Sequence, residues 1–170
     1  MLNKKASQKN KFEFTSNLMI IPVEINGVEL SFVLDSGMSR PILFNLIESD
    51  ALDLNNTKTF FLHGLGVEGR IKALRSRNNN FKIGEAIYRQ QELYVILDQD
   101  INFTPRLGVY VHGIIGYDVF KDFVVEINYN SRYIRLHNPE TFKAKTHKKW
   151  VTIPLDVDNK KPYLNSTVQL

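Results

Sequence analysis

Short apolar runs separated by polar turns recur along most of the chain. The runs are rich in β-branched and aromatic residues, and glycine, asparagine, aspartate and serine stand between them. This spacing is typical of strands joined by tight turns. Helical periodicity is almost absent, and the best helix candidate is the stretch Tyr117–Asp122. The pattern therefore predicts an all-β protein with one short helix.

The first predicted hairpin carries an aspartate at its end. Residues 17–25 form one arm, in which Pro22 cannot donate a ladder hydrogen bond, and this indicates an edge position or a bulge. Asn26-Gly27 is a strong hairpin-turn sequence. Residues 28–34 form the returning arm, which leads directly into Asp35. A carboxylate at that place either fixes a turn or is held out for chemistry.

Further segments along the chain have the composition of strands: 41–44, 59–63, 70–74, 81–86, 92–97, 109–116, 123–129 and 132–136. The segments 59–63 and 70–74 predict a long hairpin with a glycine-rich tip, because glycine permits positive φ and lets the backbone approach a ligand closely. Residues 75–80 are predicted to form a polar turn, and residues 98–107 a loop. The segment 109–116 ends on Ile114-Ile115-Gly116.

Composition places the chain among globular proteins. Its 170 residues are 43% hydrophobic and 24% charged, which suits one domain with a sizeable core. The net charge of +4 is concentrated in the first dozen residues and in Lys143–Lys149. A nucleic-acid binder usually spreads basic and aromatic residues over one folded face, so nucleic acid is not an expected partner.

Several classes of chemistry are excluded or disfavoured. The chain has no cysteine, so disulfides and thiol nucleophiles are excluded. The four histidines show no metal-ligand spacing, and no metal is expected. No apolar run approaches the length of about 20 residues that a membrane helix needs. The basic start has no apolar stretch behind it, so the chain as written is expected to be soluble and cytoplasmic, and exported or periplasmic if its N-terminus has been trimmed.

The sequence suggests four regions. We expect a flexible basic tail over residues 1–12, a folded lobe over 13–142, a basic linker over 143–150 and terminal strands over 151–170. The last region contains apolar residues at strand-like spacing.

Five features occur in a fixed order along the lobe. An apolar run enters Asp35-Ser36-Gly37, a glycine-tipped hairpin follows about 30 residues later, and Ile114-Ile115-Gly116 follows about 80 residues after the aspartate. A short helical turn and a hairpin complete the series. This order, over residues 13 to 138, resembles the retropepsin-like aspartic proteases, and residues 112–120 look like the bacterial branch of that family.

The resemblance implies a fold and a set of roles. The fold would be a single retropepsin-like acid-protease lobe, closed and barrel-like. Asp35 would be catalytic, and its loop would be supported by Ser36, Gly37, Ile114, Ile115 and Gly116. The hairpin tip would be a flap that binds substrate through Gly64, Leu65, Gly66, Val67 and Gly69. No cofactor is implied, and the substrate would be a peptide or a protein.

The resemblance also implies a second aspartate. Proteases of this family use two aspartates that share a proton, yet this sequence has a single Asp-Ser/Thr-Gly. The partner would come from a second copy in a homodimer, or from a second lobe. Residues 162–168 resemble the strand that leads into the second lobe of two-lobed bacterial relatives. The chain is therefore expected to be either half of a homodimer or the first lobe of a longer or truncated protein.

Two other functions remain open at this point. The first is a non-catalytic retropepsin-like module that uses the same cleft to bind a peptide or to dimerise. The second is an unrelated β interaction domain in which Asp35 only fixes a turn. The position of Asp35 relative to Ile114-Ile115-Gly116 distinguishes this last possibility, because only the protease-like fold brings them together.

Overall fold

The computed structural model describes residues 9–44, 46, 52–62, 71–97, 103–144 and 149–167. Within these ranges the chain forms thirteen strands and two short helices. The strands are β1 Lys9–Lys11, β2 Glu13–Thr15, β3 Leu18–Ile25, β4 Val28–Leu34, β5 Ile42–Leu43, β6 Lys58–Leu62, β7 Ile71–Ile83, β8 Ala86–Ile96, β9 Gly113–Ile115, β10 Val124–Asn128, β11 Tyr133–His137, β12 Asp156–Asp158 and β13 Lys161–Tyr163. The helices are α1 Thr104–Leu107 and α2 Tyr117–Asp122. The all-β prediction is confirmed.

One large sheet carries most of the fold. Its strands are ordered β2-β3-β4-β9-β5-β8-β7-β6, and β3 also pairs with β7 through Glu24 and Ile25. This extra pairing joins two distant parts of the sheet, so the sheet curves round on itself. A smaller sheet, ordered β1-β11-β10, packs the end of the lobe, and β12 and β13 form a separate hairpin.

The predicted first hairpin is present. Asn26 and Gly27 have φ angles of 49° and 92°, as a two-residue turn with two left-handed positions requires. Ile25 pairs with Val28 across this turn. Pro22 lies between the part of β3 that pairs with β2 and the part that pairs with β7, so its missing N–H interrupts no second ladder.

The structure corrects the predicted turn at residues 75–80. These residues lie inside β7, where two register shifts interrupt the pairing with β8. Ser76 and Asn79 are fully buried there. The Ser76 hydroxyl donates to the backbone carbonyl of Asn55 at 2.6 Å. The side-chain N–H of Asn26 donates to the side-chain oxygen Oδ1 of Asn79 at 2.8 Å. These hydrogen bonds satisfy the polar groups that are buried in the strand. The polar residues therefore mark a bulge and not a turn.

Three boundaries also differ from expectation. Lys9–Lys11 pairs with β11, so the expected tail over residues 1–12 ends in a strand. Four residues of the expected loop 98–107 form α1, with a proline in its first turn, so the lobe has two short helices instead of one. Of the expected terminal strands over 151–170, the described part, residues 151–167, forms the short strands β12 and β13, which pair with each other.

Apolar side chains fill both faces of the large sheet. The larger cluster includes Phe32, Leu34 and Ile115, all at most 5% exposed. The smaller cluster includes Val33, Ile42 and Tyr94, with Ile114 packed against it. Because side chains alternate across a strand, β4 contributes to both clusters and ends between them. Asp35 follows directly at that end.

Candidate active site

Backbone hydrogen bonds fix the loop that begins at Asp35. The Asp35 N–H donates to the carbonyl of Ile115 at 2.9 Å, which prolongs the pairing of β4 with β9. The Met38 N–H donates to the Asp35 carbonyl at 3.0 Å and closes a turn that contains Ser36 and Gly37. The Gly37 N–H donates to Oδ1 of Asp35 at 2.8 Å. The carboxylate is thus held in place, and the Asp35 side chain remains exposed.

Strand β9 lies directly beside this loop. It is inserted between β4, which it meets in parallel, and β5, which it meets antiparallel. Val33 pairs with Ile114 and Leu34 with Ile115. Ile114-Ile115-Gly116 is therefore adjacent to Asp35, although about 80 residues separate them along the chain. This juxtaposition contradicts the interpretation of an unrelated β domain with a remote Asp35.

Two positions around β9 have room only for glycine. A Cβ atom on Gly116 would overlap the carbonyl oxygen of Asp35 and lie 2.8 Å from that of Met38. A Cβ atom on Gly113 would overlap the carbonyl oxygen of Ile42 and the ring of Phe32. The Tyr117 N–H then donates to the Met38 carbonyl at 2.9 Å. The loop and the start of α2 are therefore in direct backbone contact.

His112 fastens the start of β9 to β4, a role that the sequence did not reveal. Its Nδ1 accepts a hydrogen bond from the Ser31 N–H at 3.0 Å, and its own N–H donates to the Ser31 carbonyl at 2.8 Å. The His112 carbonyl in turn accepts from the Phe44 N–H at 2.7 Å. In the sequence, His112 is distinguished only by its position just before Gly113, and that position does not predict these hydrogen bonds.

The predicted flap is described in part. Its arms β6 and β7 pair from Lys58–Arg75 to Leu62–Ile71, which confirms the long hairpin. Gly64, Leu65, Gly66, Val67 and Gly69, to which substrate binding was assigned, lie outside the described residues. The arms leave Phe60 and Phe61 exposed, and the ring of Phe60 packs 5.3 Å from that of Tyr94.

A group of charged residues lies near the same end of the sheet. Arg40, Arg75 and Arg77 surround Glu92 and Tyr94, and we call these five residues the basic cluster. Burial alone would raise the pKa of Glu92. Hydrogen bonds from Arg77 and Tyr94, with the charges of Arg40 and Arg75, outweigh burial and hold that pKa below its ordinary value. No pattern in the sequence indicates this group, because its members come from three separate segments.

A second charged group lies on α2. Burial raises the pKa of the Asp118 carboxyl, and the charge of Lys160 opposes that rise. Lys160 also stacks its ammonium group over the Tyr117 ring at 5.5 Å. This contact joins the hairpin of β12 and β13 to the lobe.

Neither a metal site nor a membrane-spanning helix is found among the described residues. No group of three or more His, Cys, Asp and Glu side chains in the described part of the chain is arranged to hold a metal ion. Among those same residues, no helix has the length and apolar character needed to cross a membrane.

Comparison with known families decides the classification. A family model described as "Aspartyl protease" matches residues 21–119, more than half of the chain. The chain belongs to the aspartyl protease family. The matched range runs from β3 through Asp35 and β9 to α2, so it contains every element described above around the loop. The predicted resemblance to retropepsin-like aspartic proteases is confirmed. No curated protein matches the chain significantly.

Two solved structures are similar to this chain, and the first of them shows the same fold. A retropepsin-like aspartic protease from Rickettsia conorii, a bacterial protein, superimposes with a TM-score of 0.52 at 16% identity. The match covers 81% of this chain and 96% of the Rickettsia chain. The EIAV protease in complex with the inhibitor HBY-793 is 18% identical, with a TM-score of 0.40, over 61% of this chain and 85% of the viral one.

Proposed function

We propose that this aspartyl protease lobe is an endopeptidase whose Asp35 activates a water molecule for peptide hydrolysis. The observation that carries the proposal is the arrangement around Asp35. Its carboxylate is exposed, is oriented by the Gly37 N–H, and lies on a loop that Ile115 and Gly116 brace from below. A general base must be accessible and held in one orientation, and this carboxylate meets both requirements.

The reaction needs a second carboxylate. Two aspartates a few Å apart cannot both ionise, so one proton is shared between them. The ionised group takes a proton from water, and the protonated group donates to the peptide carbonyl oxygen. In this proposal the second group is the aspartate of an identical loop, on a second copy of the chain or on a second lobe. Ser36 is then the residue that bonds between the two loops.

The substrate in this proposal is an extended peptide or protein segment. It lies between the Asp35 loop and the hairpin of β6 and β7, whose glycine-rich tip closes over it and excludes water. An extended peptide pairs readily with exposed backbone groups, and alternate side chains then enter pockets. The exposed ring of Phe60 on the flap arm, which packs beside Tyr94, supports an apolar contact with substrate.

The decisive experiment is Asp35→Asn. Removal of the acid–base group is expected to lower peptide hydrolysis at least about 1,000-fold while the thermal unfolding temperature is retained. Asp53→Asn is the matched control and is expected to keep full activity. Asp53 is exposed and lines a groove beside the Asn26-Gly27 turn, at the other end of β4 from Asp35, which we call the distal groove. Full activity of Asp35→Asn would refute the proposal, and a folded wild-type protein that binds peptides without cutting them would favour a non-catalytic module.

The same variant identifies the source of the second aspartate. If two copies form the site, an excess of Asp35→Asn protein forms mixed dimers with the wild type and lowers its activity. If a second lobe supplies the partner, added Asp35→Asn protein has no effect. Light scattering on the wild type gives an independent measure of the oligomeric state.

A further inference from the structure

The basic cluster combines charge with accessibility. Arg40 and Arg77 expose 48% and 54% of their side chains, and Arg75 exposes 29%. Three guanidinium groups and one carboxylate leave a formal excess of two positive charges (3 − 1 = +2). The Glu92 carboxylate is already fully engaged. Its Oε1 accepts from Arg40 and from the Tyr94 hydroxyl, and its Oε2 accepts from Arg77 at 3.0 Å and faces Arg75 at 3.9 Å.

Strand register places the basic cluster at the end of the sheet that carries Asp35. One row of paired residues runs across five strands: Val33, Ile114, Ile42, Tyr94 and Arg75. Two residues further toward the catalytic loop, β4 reaches Asp35 and β9 reaches Gly116. Arg40, just before β5, and Glu92 on β8 lie two residues from this row in the same direction. Arg77 lies at a register shift of β7, and its guanidinium donates to the Glu92 carboxylate at 3.0 Å. Since side chains two residues apart share a face of a strand, the basic cluster continues the face on which β4 presents Asp35.

The separation fits the length of a bound peptide. Neighbouring strands lie about 4.8 Å apart, so two strand spacings put Arg40 roughly 10 Å from Asp35. An extended peptide advances about 3.3 Å per residue. A side chain two or three residues from the bond held at Asp35 therefore reaches the basic cluster. The ring of Phe60 packs 5.3 Å from that of Tyr94 and so connects the cluster to the flap arm.

We propose that the basic cluster is a substrate subsite that binds an acidic side chain two or three residues from the bond that is cut. This inference rests on the proposed function, because it takes Asp35 as the place of cleavage. A guanidinium group binds a carboxylate through paired, charge-assisted hydrogen bonds. Glu92 and Tyr94 hold Arg40 in position, and the excess charge is left for the ligand.

A purely structural role predicts a different result. Arg40, Arg77 and Glu92 join the Asp35 loop to β7 and β8, so they also hold these segments together. If that were their whole role, substitution would weaken the binding of all peptides equally. A subsite instead makes the loss depend on the charge of one peptide side chain. The test therefore compares peptides that differ only at that side chain.

The probes are fluorescent octapeptides with a central Phe-Phe pair and alanine elsewhere. Glutamate, glutamine or lysine is placed two or three residues from the pair, on either side. Binding is measured by fluorescence polarisation on full-length Asp35→Asn protein, which leaves the peptide uncut, and cleavage is measured on the wild type. Work at about pH 6 keeps the peptide glutamate ionised.

We expect the glutamate peptide to bind about 5- to 10-fold more tightly than the glutamine peptide for at least one position of the substituted residue. This preference is expected to shrink in 1 M salt. In the Asp35→Asn background, Arg77→Gln is expected to reduce the preference below about 2-fold, Arg77→Lys to retain part of it and Arg77→Glu to shift it toward lysine. Arg89→Gln is the matched control, because Arg89 is an exposed arginine of β8 that borders the distal groove. It is expected to keep the full preference.

The outcomes separate this inference from the proposed function. Equal binding of glutamate and glutamine peptides at every position, or a preference that survives Arg77→Glu, overturns the subsite, even if the wild type cuts peptides. A preference that Arg77→Gln removes supports the subsite, even if the wild type cuts nothing. Should Arg77→Gln fail to fold, Arg77→Lys and the salt dependence on the parent protein still decide the question.

Discussion

The segment around Asp35 and the segment 149–167 use similar residues with opposite results. Phe32, Leu34 and Ile115 next to the Asp35 loop are at most 5% exposed. In the C-terminal segment, Trp150 is 68% exposed and Val157 61%. Both segments are rich in the apolar, β-branched and aromatic residues that are typical of strands. Burial therefore depends on whether other strands are available to cover the apolar face, and only the first segment has them.

The two segments also differ in how the chain is held. Strand β4 has neighbours on both sides, β3 and β9, whereas β12 pairs only with β13. Across the residues described, the C-terminal hairpin touches the lobe where Lys160 lies over the Tyr117 ring. The lobe should accordingly provide most of the free energy of folding, and the C-terminal segment should contribute little.

The largest effect is expected at Gly116. A methyl group in Gly116→Ala would overlap the Asp35 carbonyl oxygen, so β9 must move away from the Asp35 loop. We expect a loss of about 3 kcal/mol or more in the free energy of unfolding, measured by urea denaturation. Gly108→Ala is the control, because Gly108 has φ of 70° and open space around it, and it should cost only about 1 to 2 kcal/mol. Equal costs for the two variants would contradict this account of the loop.

A smaller effect is expected from removing apolar side chains in each segment. Ile115→Ala leaves a cavity in the core and should cost about 2 to 4 kcal/mol. Val157→Ala removes an exposed side chain and should change the free energy of unfolding by less than about 0.5 kcal/mol. Thermal and urea unfolding of the two variants measure the difference directly. A large cost at Val157 would show that the C-terminal segment is covered in solution.

The smallest effect is expected at the basic cluster. The pKa of Glu92 is lowered in the folded state, so the cluster stabilises the fold above the ordinary Glu pKa of 4.5, and this contribution is lost as the pH falls through the lowered value. Glu92 is partly exposed, so the contribution should be at most about 1 kcal/mol. Between about pH 6 and pH 3, the wild type should therefore lose more stability than Glu92→Gln. Parallel pH profiles for the two proteins would contradict it.

Local chemistry was sufficient to predict several parts of the fold and site. The apolar runs identified most strands, and Asn26-Gly27 identified a turn because few residues other than glycine and asparagine adopt positive φ. The apolar run before Asp35 placed a carboxylate at the end of a strand. The order of these features along the chain was enough to suggest the protease family, which the comparison with known families then established.

The tertiary structure alone decided which segments meet. Strand β9 enters between β4 and β5, and nothing in its own residues specifies those two neighbours. Ser76 and Asn79 have the composition of a turn, yet hydrogen bonds to the Asn55 backbone carbonyl and from the Asn26 side chain let them be buried in a strand. Arg40, Arg77 and Glu92 are far apart in sequence and form one cluster only because β5, β7 and β8 are neighbours. Periodicity reports which face of a strand is apolar, whereas pairing and register depend on distant segments, and these bring chemical groups together.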